Sequence, residues 1–452
     1  MDTPTGQRLL AAADAALAAG DEFGAGSRLR AAGHPADLVA AAFGQAELRR
    51  RAAGAFTRAA EMLFTRAGLE QSTSEALARH RAARFVGVGR VADLCTGIGG
   101  DLLALTETGQ PLVAVDRDPG HLRIAVHNAH VYAPAAEIDA RCEDVRAADL
   151  TGVRAVFVDP ARRSGARRFS PGASEPPLNW CLALAERVPA VAVKAAPGLP
   201  TELVPPGWEI EFVADGRDLK EAALYSPALT SGASRRATVL LAGGAEPASA
   251  RALELAAQAA ELVGPGAGLP GGAEPGQVRE AEPGQVRGAD NGRGVPAREV
   301  ATGWRTATLA GEPDTADAEA HRVSDPGAFL YDPSPAVTRA GLVGTLGRQL
   351  AAWQIDPMIA FLTSDHPVET PFARLLRIET SLPFDVRRLA ALLRTMGISA
   401  LDLRRRGLAG DVDTLRRRLL PGRRELVPGG PAVTVVMTRH HDQPWAFVCT
   451  SR

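Results

Sequence analysis

The chain has 452 residues, 46% of them hydrophobic, and a formal net charge of −1. That length predicts two or three domains instead of one core, the apolar content excludes a wholly disordered chain, and the balanced charge excludes a global attraction to nucleic acid. Four cysteines without paired ligand spacing, no leader segment and no apolar run near ~18 residues predict a cytoplasmic protein with no metal and no membrane span.

Residues 1–84 predict a helical cap. Leu9, Leu10, Ala13 and Leu17 recur at helical spacing, and Leu38, Phe43 and Leu48 lie in a second Ala-rich stretch. Thr73 or Ser74 is placed to cap a helix ending near Arg84. Phe64-Thr65-Arg66 and Glu70-Gln71 either pack on the following sheet or form part of a lid over a ligand.

Next comes VADLCTGIGGD, Val91 to Asp101. It reads as a buried strand, a glycine turn (Gly97, Gly99, Gly100) and the start of an apolar helix. Such a turn lets a ligand approach bare backbone, and the helix start offers unpaired N–H groups. This is the opening unit of a doubly wound nucleotide-binding sheet. The dinucleotide fingerprint fails, because its third glycine falls on Leu102. Asp93 adds a carboxylate suited to an ammonium group. Strand Leu112–Asp116 ends in Asp116, placed to hold two ribose hydroxyls. Asp144 follows strand Ile138–Cys142, and strand Ala155–Val158 ends in Asp159-Pro160-Ala161-Arg162. Arg162, Arg163, Arg167 and Arg168 follow within seven residues, either as a solvated loop or as a phosphate grip. A helix over Leu178–Arg187 leads to a fifth strand, Ala190–Val193, ending at Lys194. Only two lysines occur, Lys194 and Lys220, against 49 arginines. A compact ammonium at this strand end is a candidate to face the substrate. Trp208–Ala214 and Arg236–Ala242 read as a final antiparallel pair, with Glu221–Pro227 as a loop or hairpin between them.

From the glycine loop through Asp159, this series resembles the class I S-adenosylmethionine-dependent methyltransferases, over roughly residues 85–245. The resemblance implies a Rossmann-like α/β sheet that binds S-adenosyl-L-methionine. It implies donor-binding roles for Asp93, Cys95, Thr96, Gly97, Gly99, Asp116 and Asp144, with Asp144 on the adenine side. In relatives with a D/N-P-P-x motif, the acidic or amide side chain and the proline carbonyl accept N–H groups of the amine that is methylated. Asp159 and Pro160 would be those catalytic residues, and Arg162, Arg163 and Lys194 would contact substrate. Ala161-Arg162 departs from the usual second proline and aromatic ring. Base stacking would then fall to Phe169, Trp180 or the Arg162 guanidinium plane, and guanine N2 is favoured over adenine N6. The N-terminal helices resemble, loosely, those of trimethylguanosine synthase relatives.

Residues 245–327 are rich in Gly, Pro, Ala and Glu, and AEPGQVR occurs twice, at 273–279 and 281–287. They read as a disordered insertion or linker. Order resumes at 328–452 as a small α/β domain. Ala336–Trp353, Val386–Met396 and Val412–Leu420 suit helices. Ile359–Thr363, Leu375–Glu379 and Ala400–Leu403 suit strands, and Val433–Thr438 with Trp445–Thr450 a closing hairpin. Between Phe372 and Arg424, 13 arginines stand against five acidic residues. A basic α/β module after a methyltransferase resembles the THUMP-like domains of RNA-modifying enzymes, which implies RNA as partner. The domains are thus 1–84, 85–244, 245–327 and 328–452. The leading reading is methylation of a base amine in structured RNA. Methylation of a small molecule or protein, and an RNA-binding protein with a vestigial methyltransferase fold, are the alternatives.

Overall fold

The computed structural model describes residues 3–162, 174–242, 304–314, 323–408, 411–420 and 426–451. Eleven strands precede the second sheet. They are β1 (Val91–Leu94), β2 (Leu112–Asp116), β3 (Ile138–Cys142), β4 (Ala155–Val158), β5 (Ala161–Arg162), β6 (Ser174–Glu175), β7 (Ala190–Ala195), β8 (Glu209–Asp215), β9 (Asp218–Tyr225), β10 (Arg235–Ala242) and β11 (Trp304–Gly311). All but the β5–β6 hairpin join one sheet, in the order β11-β10-β8-β9-β7-β4-β1-β2-β3.

The strands β3, β2, β1, β4 and β7 are parallel neighbours. Every residue of β1 and β4 is buried, as expected where a parallel sheet is covered on both faces. Alternation sends Leu94, Val156, Val158 and Val193 to one core, and Val91, Ala155, Phe157 and Ala192 to the other. The N-terminal helices cover the second face, where Phe64 and Phe85 are buried. Each such aromatic contributes roughly 1.5–3 kcal/mol. Of the two capping candidates, Ser74 occupies the cap position of helix Glu75–Ala82 without a side-chain bond, and Thr73 turns its hydroxyl elsewhere.

In the first sheet, three features differ from the sequence reading. Glu221–Pro227, read as a loop or hairpin, instead belongs largely to a strand, Asp218–Tyr225, inserted antiparallel between β7 and β8. A tight turn at Gly216, with φ 56°, starts it. Consequently β10 pairs parallel to β8, not antiparallel. Trp304–Gly311 falls in the stretch that reads as linker, yet it pairs along its length with β10. Its identity as an edge strand comes from a partner more than 60 residues away, not from local pattern. Residues 245–303 and 315–322 of the linker reading lie outside the described residues.

The second sheet contains β12 (Phe329–Pro333), β13 (Trp353–Gln354), β14 (Leu362–Ser364), β15 (Ala373–Pro383), β16 (Ala400–Arg405), β17 (Ala432–His440) and β18 (Gln443–Ser451), ordered β13-β14-β12-β15-β18-β17-β16. Helices Val386–Met396 and Val412–Leu419 are capped by Asp385 and Asp411, and pack their apolar faces on one side of it. The single helix expected over 336–353 is two, Pro335–Ala340 and Val343–Leu350, because Gly341 enters the left-handed region at φ 70°. Both contribute to the core of the first sheet through Val337, Leu346 and Leu350. The two sheets therefore share apolar packing. Among the described residues, no helix is long and apolar enough to cross a membrane.

Candidate active site

The carboxyl ends of β1, β4 and β7 lie side by side, because the register aligns Leu94 with Val158 and Val158 with Val193. Adjacent strands are about 4.8 Å apart, so side chains just past these ends meet. Asp93, Asp159 and Lys194 project on the face covered by the N-terminal helices. A backbone bond from Asp159 N to Leu94 O, 3.2 Å, ties the ends of β4 and β1 together.

The glycine turn is held tightly. Cys95 sits at φ 63°, a conformation that costs roughly 1–2 kcal/mol for a residue with a β-carbon. Gly97 N donates to Asp116 Oδ2 at 2.8 Å, and Asp116 Oδ1 accepts from Asp118 N at 2.8 Å. Each of those oxygens keeps a second lone pair for a ligand hydroxyl. Thr96 turns its hydroxyl to Asp93 O, 2.9 Å, so it braces the turn. At Gly99 a β-carbon would stand 2.8 Å from the Ala125 Cα, which only glycine avoids. Helix Arg66–Gln71 presses on the same turn, since a β-carbon on Gly68 would collide with the Ile98 side chain. The 64–71 segment is therefore packed against the loop, with Phe64 buried and Thr65 capping the helix.

Asp93 is almost wholly buried, and its Oδ2 has no hydrogen-bond partner among the described residues. Burial, then the charges of Asp101 and Asp159, push its carboxyl well above the usual range. Such an acceptor beside a glycine turn fits the ammonium end of S-adenosyl-L-methionine. The local charge balance fits too. Asp93, Asp101, Asp116, Asp159 and Glu221 gather here against two cations, Arg81 and Lys194. That surplus of acid suits a sulfonium. Asp144 lies at the rim, half exposed, and accepts from Arg146 N at 2.9 Å. Arg146 also pairs with Glu175 of the β5–β6 hairpin.

Asp159 keeps 29% of its side-chain surface. Its Oδ2 accepts from Lys194 Nζ at 2.6 Å, while Oδ1 has no partner among the described residues. Lys194 Nζ also donates to Thr73 Oγ1, 2.8 Å. The candidate substrate contact at Lys194 is thus engaged with the protein. Thr73 donates to Asp101 at 2.7 Å, and Arg81 joins Asp101 to Glu221. Sequence reading missed Thr73, Asp101, Arg81 and Glu221. The register of β9 brings in Glu221 and the cap brings in Thr73 and Arg81, while Asp101 closes the glycine-turn run without a site role read from it. Pro160 is buried, and Arg162 lies in the hairpin strand that follows. Arg163, Arg167, Arg168 and Phe169 lie outside the described residues. Trp180, the other stacking candidate, packs on the core of the opposite face. His127 and His130 bond to the carbonyls of Glu61 and Ala136.

A second feature shares this edge. β8 runs parallel to β7, so the β8–β9 turn with Arg217 lies at the same carboxyl edge. It borders a cleft of about 560 Å³ between the two sheets, lined by Arg217, Arg404, Arg405 and Arg406 with Asp218 and Asp332.

A doubly wound sheet with a glycine turn after β1, an acid ending β2 and an Asp-Pro step ending β4 defines a class I methyltransferase. Comparison with known proteins agrees. Residues 88–161 match the family model of RNA cap guanine-N2 methyltransferases, 373–451 match that of THUMP-like domains, and 1–52 match a domain of unknown function. A protein described as an uncharacterized S-adenosylmethionine-dependent methyltransferase, from Mycobacterium tuberculosis strains CDC 1551 and H37Rv, is 32% identical over 404 residues. That match spans 87% of this chain and 90% of the relative. A crystal structure of a methyltransferase candidate from Porphyromonas gingivalis W83 shares the fold, with TM-score 0.62, 17% identity and 92% coverage of both chains. The chain belongs to the S-adenosylmethionine-dependent methyltransferase family, and S-adenosyl-L-methionine is its methyl donor.

Proposed function

We propose that the enzyme methylates an exocyclic amine of a base in structured RNA, with guanine N2 as the acceptor. The observation that carries this reading is Asp159 at the end of β4, whose Oδ1 has no partner among the described residues, with Pro160 next to it. The amine of a nucleobase has its lone pair drawn into the ring. Acceptors on its N–H groups favour the rehybridised, nucleophilic form. Asp159 Oδ1 and the Pro160 carbonyl supply such acceptors and hold the nitrogen in line with the donor. Bound donor provides an electrophilic methyl on a sulfonium. In this reading Asp93 receives the donor's ammonium, Cys95 to Gly99 pass beneath its amino-acid end, Asp116 holds the ribose and Asp144 faces the adenine. Asp159 Oδ1 is also the nearest base for the proton the amine sheds.

Two observations support RNA and guanine. The arginine-lined cleft opens on the same edge, two to three strand spacings from β4, about 10–15 Å away. Guanidinium groups at that distance grip backbone phosphates without reading bases. The guanine-N2 family model also spans Asp93 through Pro160.

The test is to incubate the protein with labelled donor and RNA from a strain lacking the gene, then digest to nucleosides. Labelled N2-methylguanosine is expected. N6-methyladenosine would overturn the guanine assignment, and transfer to metabolites or protein alone would overturn the RNA assignment.

A further inference from the structure

In a chain with 49 arginines, one of only two lysines ends β7 beside Asp159. The ammonium has three protons. One goes to Asp159 Oδ2 at 2.6 Å and one to Thr73 Oγ1 at 2.8 Å. We propose that Lys194 is a positioning residue for methyl transfer: its ammonium, braced by Thr73, pins one oxygen of Asp159 and leaves the other as a fixed acceptor for the substrate's N–H. The proposal rests on the base-amine reading above.

A carboxylate rotates easily about its last torsion, whose wells are broad. A charge-assisted bond to one oxygen removes that freedom. The same contact supplies the charge that holds Asp159 as an acceptor. Burial raises its carboxyl, the Lys194 charge opposes that, and Asp101 adds to the rise. Asp93 and Cys95 face it from β1 and the turn. Arg81 is the other cation facing the group, and Asp101 and Glu221 already hold it. Glu221 also faces Lys194 from β9.

Arginine cannot replace lysine here, although this chain uses it almost everywhere else. A guanidinium fork pairs with both oxygens of a carboxylate, whereas an ammonium is a point charge that engages one. Arginine at 194 would neutralise Asp159 and also occlude the oxygen that substrate needs.

The test uses full-length protein labelled with 13C at lysine Cε, in which two side-chain signals appear and Lys220→Arg assigns them. The Lys194 signal should keep its ammonium position up to pH ~10. Asp159→Asn should bring its titration down by about one unit or more while Lys220 stays put. In RNA methylation, Lys194→Met should lose ~100-fold in turnover near pH 7 and recover part of it as pH rises. Lys194→Arg should lose a similar factor with no recovery at high pH. Donor affinity should stay within about three-fold in both, since neither reaches the donor. A Lys194 titration indifferent to Asp159→Asn would overturn the proposal. So would wild-type turnover in Lys194→Arg, or equal loss of donor binding and turnover in Lys194→Met. If wild type methylates no RNA, the base-amine reading falls, and the labelled-lysine result still decides whether Lys194 holds Asp159.

Discussion

Asp332, on the second sheet, takes the guanidinium of Arg217 from the first, and its other oxygen accepts from Arg406 Nη2 at 2.9 Å. Asp332 is 3% exposed. Arg406 also lies over Phe361, 5.2 Å from the ring centre. One buried carboxylate thus fastens the methyltransferase sheet to the basic module at the floor of the arginine cleft.

Asp332→Ala should loosen that junction. It leaves two arginines, each about one-third exposed, without their shared partner. Removing one member of a buried ion group costs about 3–5 kcal/mol, and partial solvation here reduces that to roughly 2 kcal/mol. Scanning calorimetry should show a lower melting temperature, while RNA affinity stays equal or rises because two cations are freed. Weaker RNA binding with unchanged melting would contradict the clamp.

Arg405, an exposed arginine of the cleft with no part in the Asp332 clamp, should act only on affinity. Arg405→Ala is expected to raise KM for RNA several-fold with kcat unchanged. The slope of log K against log salt should fall by about one unit for each phosphate that is no longer neutralised. An unaltered salt slope would place the RNA elsewhere.

Two carboxylates should separate binding from chemistry. Asp93→Asn is expected to weaken donor binding by ~10-fold or more, as a charged hydrogen bond is removed. It should also stabilise the donor-free protein at neutral pH. The Asp93 carboxyl is raised above its unfolded value, so the folded state takes up a proton that the unfolded state releases. That favours folding at low pH, and the benefit is lost as pH rises. Asp159→Ala should reduce turnover by ~100-fold or more with donor affinity nearly intact. Isothermal calorimetry with the donor, paired with thermal melts, reads both. Equal loss of affinity in the two variants would refute the division of roles.

Glu211 offers a test of how the cap is held on the sheet. It is fully buried on β8, bonded to His80 at 2.8 Å and to Thr238, with Arg84 nearby. Burial alone would raise its carboxyl, but His80, Thr238 and Arg84 together hold it down to about 2. Folded-state depression means stability present above the unfolded value of 4.5 and lost as pH falls from there toward about 2. The contribution is roughly 3 kcal/mol at most. Urea melts should therefore show Glu211→Gln less stable than wild type at pH 7, with the gap closing below pH ~4. A constant gap across that range would assign the loss to packing.

The ends of the 243–303 segment are neighbours, because Ala242 and Trp304 are paired residues of β10 and β11. Replacing those residues with a short Asn-Gly-type turn is geometrically allowed. Activity and melting temperature should stay within a few-fold and a few degrees of wild type. Loss of soluble protein would give the segment a structural role.

Much of this molecule is local enough to read from residues in order. The run from Val91 to Asp101 specifies strand, turn and helix by apolar pattern and glycine placement, and the acids at 93, 116 and 159 fall at strand ends by the same logic. The stretch 386–396 announces its apolar face and 412–420 reads as a helix, while the caps at Asp385 and Asp411 came from the structure. Neighbours in space but not in sequence were decided only by the folded chain. Residues 221–227 look like a loop or hairpin until β7 and β8 supply partners for 218–225, and Trp304–Gly311 looks like linker until β10 does. Lys194 looks like a ligand contact until parallel register sets it against Asp159 and the cap brings Thr73 over it. Periodicity is a property of a few consecutive residues. Pairing, and the chain of polar contacts from Asp159 to Glu221, depends on contacts such as Lys194–Thr73 and Arg81–Glu221 across more than a hundred residues that no short pattern encodes.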